Sequence, residues 1–149
     1  MGARAAERPA APLPVDRPLD VRERGRLVAE ILAAYLGTRR EMARKPIAAV
    51  IDRLRAGTEW PAPLAAERLE EARRLGRAVA RTLALAPGDT RCLVRSLVLM
   101  RLLSRRGLAA KLVIGARPQP EFLAHAWVEY GGEPVLSPGD DSFGRLVEL

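Results

Sequence analysis

One histidine and one cysteine are all that this 149-residue chain contains. A single cysteine cannot close an internal disulfide, which points to a reducing compartment, the cytoplasm. The same scarcity leaves too few soft ligands for a tetrahedral zinc site, so no metal is expected. No Gly-rich phosphate loop and no dinucleotide fingerprint occurs, so no cofactor is expected either. Aromatic residues make up only 4% of the chain. The core must therefore rest on Leu, Val, Ile and the abundant Ala, which favours helices. No apolar run approaches the ~20 residues that cross a bilayer. The N-terminus has no hydrophobic region of the kind a secretory signal needs.

Lysine is nearly absent too. Lys45 and Lys111 are the only two among 25 basic residues, set against 18 acidic ones, for a formal charge of +7. Such a charge by itself admits a basic, helical nucleic-acid-binding protein, which would show a basic stripe and steep salt dependence. The arginines are instead interleaved with acids, as in "AAERLEEARRLGRAVARTL", the pattern of solvated helix faces. Mixed charge and few aromatics argue against a nucleic-acid partner.

Residues 1–18 are rich in Pro, Ala and Arg without apolar periodicity and read as a disordered tail. Residues 19–86 read as a helical N-terminal segment. Its first helix starts behind Asp20 as cap, carries Leu27, Ile31 and Tyr35 at helical spacing, and stops at Gly37. A second runs through "KPIAAVIDRLRAG", with Pro46 in the first turn and Gly57 at the end. A third, in "PLAAERLEEARRLGRAVARTLAL", has an apolar stripe from Leu64 and Leu69 to Leu83. Residues 87–149 form the remaining unit. A fourth helix begins at Asp89 or Thr90 and ends at Gly107; its apolar residues cover most of its circumference, so it is buried. The period then changes to two. "AAKLVIGA", "LAHAWVEYG" and "EPVLS" read as strands, the last two joined by a Gly131-Gly132 turn. Helices first and strands last argue for an α+β fold with segregated layers.

Cys92 lies in the first turn of the buried helix. There the backbone N–H groups lack intrahelical partners and the helix dipole favours an anion such as a thiolate. Arg91 and Arg95 add positive charge. The plain alternative is a small core residue. His125 lies mid-strand, sharing a face with Trp127 and Glu129, while Ala124, Ala126, Val128 and Tyr130 share the other. The plain alternative here is a structural histidine. A Cys–His pair needs a third group to orient the imidazole. Glu129, Asp140, Asp141 and a backbone carbonyl are all open.

Several spaced motifs run in one order: Cys92-Leu93, Arg95-Ser96-Leu97, Arg105-Arg106-Gly107, Leu112 to Gly115, and His125 to Glu129 followed by Gly132 and Pro134. Residues 87–149 thereby resemble the transglutaminase-like, papain-like leader peptidases of lasso-peptide biosynthesis. The resemblance implies helices packed with a core of one buried helix and a small antiparallel sheet. It implies a cysteine peptidase that cuts the leader from a ribosomally made precursor, with Cys92 as nucleophile, His125 as base and a thioester between them. Its implied partners are the precursor peptide, a separate leader-recognition protein, and the ATP-dependent cyclase that closes the macrolactam. Relatives carry an Asp in the strand after His-Ala-Trp, and that place falls at or near Ser137 here. Asp140 is the first candidate for the third member, with Ser137, Glu129 and Asp141 as alternatives. Trp127 and Arg95 are candidates for contact with substrate. Trp60, flanked by Pro61, is a candidate docking anchor. A transglutaminase-like module that captures peptide without cutting it is the competing reading.

Overall fold

A computed structural model describes residues 9–55, 65–85, 92–118, 122–137 and 143–149. Four helices precede four strands. They are α1 (Val21–Arg44), α2 (Ile47–Arg55), α3 (Ala66–Ala84) and α4 (Cys92–Ser104), then β1 (Ala110–Arg117), β2 (Leu123–Tyr130), β3 (Glu133–Pro134) and β4 (Gly144–Glu148). The α+β order read from the sequence holds.

α4 is the axis of the molecule. It packs on α1, α2 and α3 and also on β1 and β2. Leu97, Val98, Leu99, Leu102 and Leu103 are completely buried. At roughly 1.5–3 kcal/mol each, these side chains make α4 the main apolar contributor to folding. α1 begins with a capping box. Asp20 accepts from the Glu23 backbone N–H, and Glu23 accepts from the Asp20 N–H. The helix does not stop at Gly37; it continues to Arg44. Gly37 has a packing role instead, since a Cβ there would lie 2.5 Å from Arg101 Nη1. Arg101, 7% exposed, comes from α4 and pairs with Glu41 one turn further along α1. Gly57, Trp60, Leu64 and the Asp89/Thr90 cap lie outside the described residues.

Residues 1–8 of the expected tail also lie outside. Residues 9–18 run against the helices. The Leu13 N–H donates to Glu71 Oε1 at 2.8 Å, Arg74 donates to the carbonyls of Pro14 and Arg17, and the Ala10 N–H donates to the Arg105 carbonyl. Glu71, 2% exposed, also accepts from Arg68.

The sheet is antiparallel with order β3-β2-β1-β4. The Gly131-Gly132 turn forms as expected, with φ of 61° and 83°, a region open to glycine. β3 is shorter than "EPVLS" suggested. Only Glu133 and Pro134 pair, after which Val135 and Leu136 both donate to the Val128 carbonyl. Pro134 has no N–H for a ladder, which suits an edge. β4, absent from the sequence reading, pairs with β1 on the far edge.

Candidate active site

Cys92 is the first residue of α4 and is half-buried against the core. Its position leaves the first N–H groups of the helix without intrahelical acceptors. One turn on, the Ser96 hydroxyl, fully buried, donates to the Ala126 carbonyl at 3.1 Å. That bond ties the start of α4 to β2 at the residue next to His125. Cys92 lies one helical turn, about 5.4 Å along the axis, before that contact.

The strand alternates as expected. Ala126 and Val128 belong to the core shared with α4. His125, Trp127 and Glu129 form a stack on the other face. The His125 and Trp127 rings lie 6.1 Å apart at 23°, and the Trp127 indole N–H donates to Glu129 Oε1 at 3.0 Å. Gly115 sits directly across from His125 in the β1–β2 register. A Cβ there would meet the Trp127 ring at 2.8 Å, so the bare backbone of β1 is the floor for the indole. Phe143, just before β4, closes on His125 with a centroid distance of 5.3 Å. The Arg117 guanidinium lies over its other neighbourhood, 5.5 Å from the Phe143 centroid.

His125 Nε2 lies 3.0 Å from the Ser137 backbone carbonyl oxygen. A carbonyl only accepts, so Nε2 carries the proton and Nδ1 is the basic nitrogen. Glu129 has other partners. It is 5% exposed and receives Arg145 Nη2 on Oε1 at 2.6 Å and Arg145 Nη1 on Oε2 at 3.2 Å, besides the indole. Its carboxylate braces Trp127 and β4. Asp140, Asp141 and Arg91 lie outside the described residues. Trp127, 3% exposed, backs the imidazole from inside. Arg95 is half-buried one turn beyond Cys92. Among the described residues no hydrogen bond joins Cys92 to His125, and their link runs through Ser96 and Ala126.

Sequence reasoning missed Phe143 and Arg145, both tied to a strand it did not see. The mid-strand glycine in "LVIGAR" was a usable signal of close approach. Many basic residues are engaged in ion pairs: Arg106 and Arg105 with Glu30, Arg101 and Arg53 with Glu41, Arg68 with Glu71. Among the described residues no group of His, Cys, Asp and Glu could hold a metal ion, and no helix is long and apolar enough to cross a membrane.

A helix opening on cysteine, followed by antiparallel strands that carry histidine on the second, defines the class. The chain belongs to the transglutaminase-like superfamily, whose family model matches residues 32–148. Over 44 residues the chain is 50% identical to the Microcin J25-processing protein McjB of Escherichia coli. That segment is 30% of this chain, which spans about a fifth (21%) of the length of that relative. Both findings bear out the resemblance drawn from the motifs. No solved structure gives a significant match.

Proposed function

We propose that this chain is a cysteine peptidase that removes the leader from a ribosomally made precursor of the lasso-peptide kind. The observation that carries the reading is the orientation of His125. Its Nε2–H is spent on the Ser137 carbonyl, which leaves Nδ1 to take a proton at the edge of β2. β3 pairs only with Glu129 and Tyr130, so it does not cover the β2 edge beside His125, and Cys92 lies one helical turn before the Ser96–Ala126 bond at that end of β2. The matching segment of a microcin-processing protein supports the substrate class.

In this mechanism Nδ1 accepts the Cys92 thiol proton and Sγ attacks the scissile carbonyl carbon. The carbonyl oxygen becomes an oxyanion facing the N–H groups at the start of α4 that have no intrahelical acceptor. The C–N bond then breaks, the amine leaves with the proton from Nδ1, and a thioester remains. Water attacks the thioester with His125 again as base. The leader carboxylate departs and the thiol is restored. A carbonyl in place of a carboxylate fixes the tautomer but adds no full negative charge against the imidazolium. The expected rate is below that of a carboxylate triad, by less than the roughly 10⁴ lost when an Asp→Asn exchange also sets the wrong tautomer. The partners would be the precursor, a separate leader-recognition protein and the downstream cyclase, in the cytoplasm.

One observation favours the second reading, a binding module that captures peptide without cutting it: Cys92 and His125 share no hydrogen bond. Mass spectrometry of the co-encoded precursor, incubated with its recognition protein and either the wild type or Cys92→Ala, decides between them. Cleavage that disappears in Cys92→Ala is the expected result. Cleavage that persists would sink the catalytic role of the thiol.

A further inference from the structure

α1 is apolar on two sides. Leu27, Ile31, Ala34 and Tyr35 point into the core. Val28, Ala29, Leu32, Ala33 and Leu36 are all exposed. At 3.6 residues per turn the latter five form one row with no charge between them. Val28, Leu32 and Leu36 are 42%, 39% and 53% exposed. Single surface leucines are ordinary, whereas a contiguous row marks an interaction face.

The charge around this row has one sign. The three acids of α1 lie on the opposite side of the helix and are held by partners within the chain: Glu23 by Arg17, Glu30 by Arg106, Glu41 by Arg101. Arg22, Arg26, Arg40 and Arg44 are exposed. Helical geometry puts them along one border of the row, a pair at each end. A second copy of this chain is a poor occupant. Antiparallel pairing centred on Leu32 brings Arg22 and Arg26 of one copy beside Arg40 and Arg44 of the other, parallel pairing sets each arginine against its own copy, and α1 has no outward carboxylate to answer either. A lipid surface fits less well too. The row has no aromatic of the kind that anchors a helix at a headgroup layer.

We propose that this face of α1 docks a separate protein that presents an apolar strip rimmed by Asp and Glu, and that this protein is the one that delivers the leader. The identity of the occupant rests on the leader-peptidase reading; the face itself does not. Aliphatic anchors with a charged rim give specificity and a fast, salt-sensitive encounter.

Titration calorimetry with the co-encoded leader-recognition protein tests this on three full-length proteins: wild type, Leu32→Gln/Leu36→Gln, and Arg22→Glu/Arg40→Glu. All substituted side chains are exposed, and circular dichroism checks that the fold is kept. Affinity weakened roughly tenfold or more in each variant, with cleavage of free precursor unchanged, is the expected result. Wild-type affinity in both variants, or no binding by the wild type, overturns the proposal. So does flotation of the wild type with phosphatidylglycerol vesicles that the leucine variant loses, or a dimer by light scattering that the same variant dissolves. Cys92→Ala must bind like the wild type. Its failure to abolish cleavage would refute the peptidase reading and leave the titration result standing.

Discussion

Gly76 stands mid-way along α3 where the helix meets the segment after β3. A Cβ built there collides with the Val135 main-chain carbonyl, and Leu99 closes the space behind it at 3.6 Å. The Val135 N–H donates to the Val128 carbonyl, and two residues later the chain supplies the carbonyl that holds His125. Gly76→Ala sets two effects against each other. Alanine in a helix interior is worth about 1 kcal/mol over glycine. Forcing a methyl into a filled site costs about 1–3 kcal/mol, and here the obstacle is backbone, which cannot rotate away. We expect a net loss of about 2 kcal/mol and a fall in Tm of about 4–8 °C for a chain of this size. Gly25→Ala is the control, because its Cβ would meet nothing within 4 Å on an exposed stretch of α1. It should gain up to about 1 kcal/mol. Urea unfolding of both variants beside the wild type reads the difference of about 3 kcal/mol. A Gly76→Ala protein as stable as Gly25→Ala would refute the packing argument. The variant should also lose more activity than its stability implies, since displaced Val135 moves the carbonyl that orients the imidazole.

Glu30→Gln should destabilise by about 2 kcal/mol in the same assay, because it removes the nearer carboxylate from the Arg106 guanidinium, whose side chain is 3% exposed and which keeps Glu71 at 3.9 Å. The Arg17 guanidinium, followed by the Asp20 backbone N–H, holds the Glu23 carboxyl at about 2 against its ordinary 4.5. A carboxylate lowered on folding contributes stability above pH 4.5 that is lost as pH falls toward 2. Glu23→Gln should flatten that part of an acid-unfolding curve, while an unchanged curve would count against the Arg17 contact.

The elements most legible in the sequence were those with one dominant local cause. α4 declared itself by apolar residues all round, β2 by alternation, and the turn from β2 to β3 by two glycines in sequence. The misses have non-local causes. Gly37 reads as a stop until Arg101, far along the chain, claims the space above it. β4 alternates poorly, its five residues all being exposed, and only its pairing with β1 makes it a strand. Leu13 and Pro14 look like tail until Glu71 and Arg74 supply partners for their backbone. At the site, Cys92, His125 and the shared face of Trp127 and Glu129 were legible as residue types in a pattern. The Ser137 carbonyl was not, because every residue has a carbonyl and only the path of the chain aims one at a ring.

That carbonyl has a consequence for how the site can vary. A catalytic carboxylate is written in one codon and erased by one substitution. An orienting group drawn from the main chain is carried by the peptide itself rather than by a particular side chain. What it cannot survive is a change in the course of the chain from Gly131 to Ser137, through the glycine pair, Pro134 and the seat of Val135 against Gly76. Mutational tolerance around this histidine should therefore follow backbone geometry rather than residue chemistry. A library screened there would find intolerant positions among the glycines and the proline.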